Sequence, residues 1–385
     1  TLRERNWFSE PGAGGQIRAE PNMASYLDLV ALGTVADVVP LDANNRILVQ
    51  QGLQRIRAGQ ARPGILAMLE VAGRQPQRLV ASDLGFSIGP RLNAAGRLDD
   101  ISLGIECLLT DAPETARKIA SELDDLNKDR RTIEDGMQQE ALKDLQRLEL
   151  TEGDDMPWGL CLFNPDWHQG VIGILASRIK DKYHRPVIAF ARADNSTGGE
   201  AEIKGSARSV PGLHIRDALD LVAKQNPGLL SKFGGHAMAA GMSFKEADFE
   251  RFQQAFDRVV RETMPAEALQ AQVMSDGELQ AHEFTLPLAH ELREAGPWGQ
   301  MFPEPLFDGE FFLVQQRIVG EKHLKLTLAV DAARQQLVDA IAFNVDIKLW
   351  PNNGCEKVRL AYKLDVNEFR GRQSLQLMVD YIEAL

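Results

Sequence analysis

The sequence predicts an α/β protein that ends in a small β-barrel, on three observations. Ile119, Leu123, Leu126, Ile133 and Met137 recur at spacings of three, four and seven with charges between them, the pattern of one amphipathic helix of roughly 38 residues. Between residues 156 and 265, short apolar runs alternate with helical patterns, as in strand–helix architectures. Near the C-terminus Leu324, Leu326, Leu328 and Val330 alternate with Lys325, Thr327 and Ala329, as a half-buried strand requires.

Taken in order, residues 1–110 are expected to be helical with one glycine-rich turn. Asn22 to Leu32 reads as a buried helix that ends near Gly33, and Arg46 to Ile56 as a second helix. Pro90 to Arg97 reads as a small-residue loop. Residues 111–155 hold the long helix, with Pro113 as its start signal and the polar stretch Thr151-Glu152-Gly153-Asp154-Asp155 after it. A strut between domains is preferred there over an ordinary bundle helix.

Residues 156–265 open with the strand Leu160-Cys161-Leu162-Phe163, closed by the turn Asn164-Pro165-Asp166. A helix over Val171–Lys182, a strand over Pro186–Phe190, another over Ile203–Arg208, a helix from Leu213, a strand after His236 and a helix from Glu246 complete an α/β domain. Residues 266–385 add strands over Val338–Phe343, Val358–Leu364 and Ser374–Ile382. Five or so strands in that length suggest a closed barrel of the OB type.

Composition narrows the function classes. With 44% hydrophobic and 25% charged residues among 385, the balance is that of a globular protein. No apolar run is long enough for a transmembrane helix. The start, Thr1-Leu2-Arg3-Glu4-Arg5, has neither a methionine nor an apolar signal region, so the sequence is expected to be a segment of a longer chain. Three scattered cysteines, Cys107, Cys161 and Cys355, argue against a disulfide framework or a zinc cluster and point to the cytoplasm. A net charge of −12 runs against nucleic-acid binding in general, although local potential rather than total charge decides it.

Several clusters suit an anion. In Gly234-Gly235-His236-Ala237-Met238-Ala239-Ala240-Gly241, paired glycines let backbone N–H groups converge without a side chain in the way, and His236 adds a ring donor. A plain turn with a buried histidine fits equally. In Lys204-Gly205-Ser206-Ala207-Arg208-Ser209, Ser206 and Arg208 point to one side of an extended strand, and an arginine can hold a terminal phosphate with two hydrogen bonds. A solvated strand end is the alternative. His168 and Gln169 precede a helix N-terminus, where anions are favoured; a structural cap would use the same residues. Arg91, Asn93 and Arg97 sit together in what reads as another phosphate-facing turn. Asp37 is a lone carboxylate in an apolar run, and one carboxylate cannot hold Mg²⁺ or Mn²⁺ alone. Toward the C-terminus Lys322, Lys325, Lys348, Lys357, Arg359, Lys363, Arg370 and Arg372 interleave with Trp350, Tyr362 and Phe369. That mixture suits single-stranded nucleic acid, or a solvated barrel exterior.

As a set, these segments resemble the RecJ family of single-strand-specific exonucleases in the DHH phosphoesterase superfamily. The residues that carry the resemblance are Ala31 to Leu41, Gly89 to Arg97, Trp167 to Gly173, Lys204 to Ser209, Gly234 to Gly241 and Gly296 to Pro305, in consistent order. The resemblance implies the end of a DHH catalytic domain at 1–110, a connecting helix at 111–155, an α/β DHH-associated domain at 156–265 and an OB-fold at 266–385. It implies 5′-to-3′ hydrolysis of single-stranded DNA to mononucleotides with Mn²⁺ or Mg²⁺, in recombination and repair. Single-strand-binding protein and a RecQ-type helicase are the implied partners. Asp37 resembles a metal ligand; Ser206 and Arg208 resemble a 5′-phosphate pocket, joined by Arg91 or Arg97; His236 with Gly234 and Gly235 would hold the nucleotide being cleaved.

The superfamily's Asp-rich motifs and its Asp-His-His triplet have no counterpart here: the seven histidines are all isolated. The segment is therefore expected to bind single strands without cleaving them. The alternatives are a hydrolase of short oligonucleotides or cyclic dinucleotides, and a non-catalytic single-strand-binding module.

Overall fold

The structure, a computed structural model, describes residues 4–5, 7–8, 20–152, 156–193 and 201–385, without the side chains of 144, 146–152 and 369. Residues 153–155 of the polar stretch after the long helix lie outside the described residues. The chain forms two compact units: one gathers residues 1–90, 107–120 and 273–385, the other 91–106 and 121–272.

The first unit begins with a 3₁₀ turn at Met23–Tyr26, then α1 (Leu27–Ala36), α2 (Ala43–Arg57) and α3 (Pro63–Val71). Asp42 caps α2 by accepting from the Asn45 N–H at 2.8 Å, and Pro63 opens α3 at a position that lacks a hydrogen-bond duty. Buried Asp28 ties α1 to α3 by accepting from the Leu29 and Arg62 N–H groups, both at 2.8 Å. The first helix does not stop at Gly33 as expected. No atom lies within 4 Å of where its side chain would be, so a glycine there weakens the exposed face without ending the helix.

A short α4 (Ala81–Asp83) passes through a π-turn at Leu84–Ile88 into α5 (Gly89–Leu98). The expected loop at Pro90–Arg97 is thus a helix. Ala94 and Ala95 are fully buried, and a side chain at Gly96 would meet Ile101 at 3.3 Å, so its small residues serve packing. After α6 (Ser102–Leu109), the long α7 runs Pro113–Glu152.

The α/β unit carries β1 (Leu160–Phe163), α8 (Ile172–Tyr183), β2 (Val187–Arg192), β3 (Glu202–Arg208), α9 (Ile215–Gln225), β4 (Lys232–Gly235), β5 (Ala239–Lys245) and α10 (Phe249–Thr263). Its sheet order is β1-β2-β3-β5-β4, with β1 and β2 parallel and the rest antiparallel. The Gly234-Gly235 pair, read from the sequence as an anion cradle or a turn, belongs to strand β4, made by its pairing with β5 rather than by any alternation of its own. The first unit then resumes with α11 (Leu286–Ala295) and five strands, β6 (Phe307–Val319), β7 (His323–Ala329), β8 (Leu337–Ala342), β9 (Lys357–Phe369) and β10 (Arg372–Ala384). They close in the order β10-β8-β7-β6-β9 around Tyr362, Leu326, Leu360 and Leu377.

Candidate nucleic-acid site

Alternation along the sheet of the α/β unit assigns its two faces. Ile188, Phe190, Ile203, Ala207, Met242 and Phe244 share one core with Phe252 and Phe256 of α10 and Leu219 of α9. Val187, Ala189 and Ala191 face the other way, into a core with Met137 and Ala141 of α7 and Leu175 and Ile179 of α8. Ser206 is registered on Ala189, so Lys204, Ser206 and Arg208 share that second face. Across β5 and β4 the row of Ser206 continues as Gly241 and Gly234. Both glycines are exposed, and a side chain built at Gly234 would meet nothing within 4 Å. Beyond β2 this face therefore becomes a bare shelf: a serine hydroxyl, then two glycines, with Lys204 and Lys232 in the next row.

The inner end of the shelf is a cationic pocket under the N-terminus of α8. A side chain at Gly173 would lie 2.9 Å from both Ser206 Oγ and Arg208 Nη2, so both groups reach the helix's first turn. The N-cap residue, Val171, offers no side-chain acceptor; its carbonyl takes the Ile174 and Leu175 N–H groups, and the helix N-terminus ahead of them is electrostatically suited to an anion. Arg208 Nη1 donates to Ser206 Oγ at 3.1 Å and to Ala207 O at 2.8 Å, which fixes the guanidinium. Burial, and then the charge of Arg97, push the Arg208 pKa below the usual arginine value. Arg97 is lowered in turn by partial burial and by Arg130, against Glu134. The Arg208 and Arg97 guanidiniums stay cationic; their mutual repulsion is what an anionic ligand would relieve.

A cavity of about 630 Å³ adjoins the pocket, lined by Arg97, Asp166, Trp167, His168, Gln169 and Gly170. Trp167 is buried and donates through Nε1 to Glu140 of α7 at 2.9 Å. Arg97 Nη1 donates to Gly170 O at 3.0 Å, while a side chain at Gly170 would sit 2.6 Å from Arg97 O. His168 Nδ1 accepts from the Gly170 N–H at 3.1 Å, which in the neutral ring leaves Nε2–H as a donor for a ligand. Lys204 Nζ donates to Gln169 Oε1 at 3.1 Å.

At the outer end, Gly235 has φ +151° and a side chain there would fall 2.4 Å from Ala239 O, so only glycine fits. It starts the hairpin in which the His236 N–H donates to Ala239 O at 2.8 Å. The His236 side chain is exposed rather than buried.

The structure separates the remaining candidates. Arg91 is buried against α7, where Nε and Nη2 reach Asp124 Oδ1 at 2.9 and 2.7 Å; of the two arginines, it is Arg97 whose charge acts on Arg208. Asn93 is exposed on α5. Asp37 belongs to the other unit, exposed at the C-terminal cap of α1. Among the described residues no three His, Cys, Asp or Glu side chains gather to hold a metal ion. Mg²⁺ keeps several waters but still needs carboxylates to anchor it, and Asp37 has no such companions among the described residues, so the residues present do not by themselves fit one.

A buried network was missed by sequence reasoning. Arg130 donates to Glu134 at 2.7 Å and to Asn127 at 3.1 Å, and Arg178 donates to Glu134 at 3.0 Å. The available signal was that Asn127, Arg130 and Glu134 continue the spacing of the apolar stripe of α7, so they had to face inward.

Two aromatics of the barrel's cation–aromatic stripe are not available for stacking a base. Trp350 and Tyr362 are core residues. Lys325, Lys357, Arg359 and Lys363 are paired with Asp339, Glu310, Glu310 and Asp380. Only the backbone of Phe369 is described.

Comparison with known proteins agrees with this architecture. Residues 159–262 match the DHHA1 domain and residues 275–381 the RecJ OB domain. The chain is 58% identical over 381 residues to the single-stranded-DNA-specific exonuclease RecJ of Salmonella typhimurium, covering 99% of this chain and 64% of that protein. It thus spans under two-thirds of the length of that relative. Among solved structures, Thermus thermophilus RecJ in complex with Mg²⁺ is 29% identical with a TM-score of 0.76, covering 95% of this chain and 53% of that one. The same protein in complex with Mn²⁺ is 30% identical with a TM-score of 0.75, covering 95% and 50%. With the α/β sheet and the closed barrel both matched and identity sustained over nearly its whole length, the chain belongs to the RecJ family.

Proposed function

We propose that this chain is the strand-gripping part of a 5′-to-3′ exonuclease specific for single-stranded DNA, which releases mononucleotides. The observation that carries the reading is the pocket of Ser206, Arg208 and the α8 N-terminus, with Arg97 nearby, opening onto a bare glycine shelf. A terminal 5′-phosphate carries more charge than an internal phosphodiester and needs several donors at once, which this pocket supplies. The next nucleotide would lie on Gly241 and Gly234, with His236 at the far edge and His168, Gln169 and Lys204 along the wall.

Catalysis with Mn²⁺ or Mg²⁺ belongs to the same reading, since the Thermus relatives were solved with each. Asp37 would contribute one ligand; the others would lie in the third of the relative's length that this chain does not span. The chain by itself is therefore proposed to bind strands without cutting them. Action in DNA recombination and repair in the cytoplasm, beside single-strand-binding protein and a RecQ-type helicase, follows from the family. Among the described residues no helix is long and apolar enough to cross a membrane.

The test is the isolated chain with 5′-phosphorylated single-stranded DNA and Mn²⁺. Saturable binding that Arg208→Ala weakens mainly on 5′-phosphorylated ends, without nucleotide release, is expected. Robust turnover by the chain alone refutes the division of roles, and equal loss on every kind of end points to a generic strand-binding module.

A further inference from the structure

The segment Gly296-Pro297-Trp298-Gly299-Gln300-Met301-Phe302 has no part in the pocket or the shelf, yet backbone bonds, an aromatic stack and an arginine tie it to the rest of the first unit. Gly299 and Phe302 exchange backbone hydrogen bonds at 2.9 and 3.0 Å, which closes a tight turn with the exposed Met301 at φ +58°. The turn is bolted to the chain just after Asp37. The Leu41 N–H donates to Gln300 O at 2.8 Å, and a side chain at Gly299 would press to 2.8 Å of Leu41 Cδ1. The Arg46 guanidinium lies 3.6 Å from the centre of the Phe302 ring, which stacks on Trp298 at 5.0 Å and 11°. Trp298 Nε1 donates to Leu292 O at 2.9 Å, and Arg46 Nη2 to Ala295 O at 3.3 Å.

What the bolt holds is a strained turn. Val38 follows Asp37 at φ +55°, the left-handed position that ends many helices and that glycine usually fills. A β-branched residue there is a conformational outlier, and such outliers persist only where the surroundings over-determine them. The Val39 N–H closes the helix end on Thr34 O at 3.0 Å; beyond it the Asn45 side-chain amide donates to Pro40 O at 2.9 Å, and the Leu41–Gln300 bond is the tether that reaches outside the local turn.

We infer that the Arg46–Phe302–Trp298 stack and the Leu41–Gln300 bond form a brace that holds the Asp37 turn in its strained geometry, making Arg46 and Phe302 positioning residues. This rests on the reading of Asp37 as part of the catalytic centre. The experiment has two readouts. Hydrogen exchange of residues 38–41 is measured in the 385-residue chain, and kcat and KM on 5′-phosphorylated single strands in the enzyme at the length of its relatives. Phe302→Leu is expected to speed exchange at 38–41 at least tenfold and leave the barrel strands unchanged. In the enzyme it lowers kcat about tenfold or more with KM within twofold, and Phe302→Tyr restores both. Arg46→Lys, which keeps the charge but loses the planar stack, repeats the effect should Phe302→Leu fold poorly. Unchanged exchange at 38–41 overturns the brace, and faster exchange with unchanged kcat overturns its positioning role. Asp37→Asn separates the two readings: full activity there removes the catalytic assignment of Asp37 without touching the exchange result.

Discussion

Replacing Gly173 by alanine isolates the pocket from the fold. The position is helical and its backbone needs no glycine, so alanine should stabilise α8 by at most about 1 kcal/mol. The added methyl would lie 2.9 Å from Ser206 Oγ and from Arg208 Nη2, closer than real contacts allow. Both are side-chain ends, and Arg208 can be displaced only by giving up its bonds to Ser206 and Ala207. The helix therefore survives and the donor array moves. Losing one hydrogen bond to a charged group costs about 1.5–3 kcal/mol, which is roughly ten- to a hundredfold in affinity. The assay is fluorescence anisotropy on matched single strands with 5′-phosphate or 5′-hydroxyl ends, beside thermal unfolding. A tenfold or greater loss confined to the phosphorylated strand, with an unchanged or higher Tm, is expected. Equal loss on both strands would place the phosphate elsewhere, and a Tm lowered by several degrees would mean the methyl disrupts packing instead.

Four further variants test other parts of the structure. Gly234→Ala meets open space and should leave Tm within about a degree while weakening strand binding; Gly235→Ala meets Ala239 O at 2.4 Å in a left-handed backbone and should cost about 2–4 kcal/mol in a denaturant titration. Glu134→Ala leaves Arg130 buried without its carboxylate, and should destabilise the α/β unit by about 3–5 kcal/mol, measured by the urea midpoint. Burial pushes the Asp124 carboxyl up, but Lys128 and Arg91 outweigh it and hold it below the usual value. A depressed carboxylate adds stability above its unfolded pKa of about 3.9 and loses it as pH falls further. Acid unfolding followed by circular dichroism should show a shallower loss below about pH 4 in Asp124→Asn, from a lower starting stability.

The parts of the fold legible in the sequence are those whose local pattern and final environment agree. The run Leu160-Cys161-Leu162-Phe163 is both apolar and a strand, and Ser206 and Arg208 share a face because β3 is extended. Where partners far along the chain decide, the pattern misleads. Lys232-Phe233-Gly234-Gly235 has no strand pattern and becomes β4 only because β5 lies beside it. The glycines at 89 and 96 suggest a loop until Ala36 and Ile101 are found packed where their side chains would be. Arg91 and Arg97 look alike in sequence because the partner that buries Arg91, Asp124, lies 33 residues away. Lysines and arginines of the barrel look free in sequence because their carboxylate partners lie on other strands.

The net charge of −12 is the feature most at odds with the proposed strand-binding role, and the local geometry of the pocket bears on that conflict. At physiological ionic strength exposed charges are screened beyond about 8 Å, so a phosphate in the pocket responds to its immediate neighbours. Arg208 and Arg97 stand there with Arg130 behind them, while Glu134 is shared between Arg130 and Arg178. Asp166 is the one carboxylate among the residues that line the adjoining cavity. Meanwhile Glu310, Asp339 and Asp380 on the barrel are spent on lysines and arginines of their own sheet. An acidic surface elsewhere would also discourage a strand from settling anywhere but the pocket and shelf. On the proposed reading the overall acidity would work for end selectivity, since a ligand repelled along most of the surface would be held only where the donors converge.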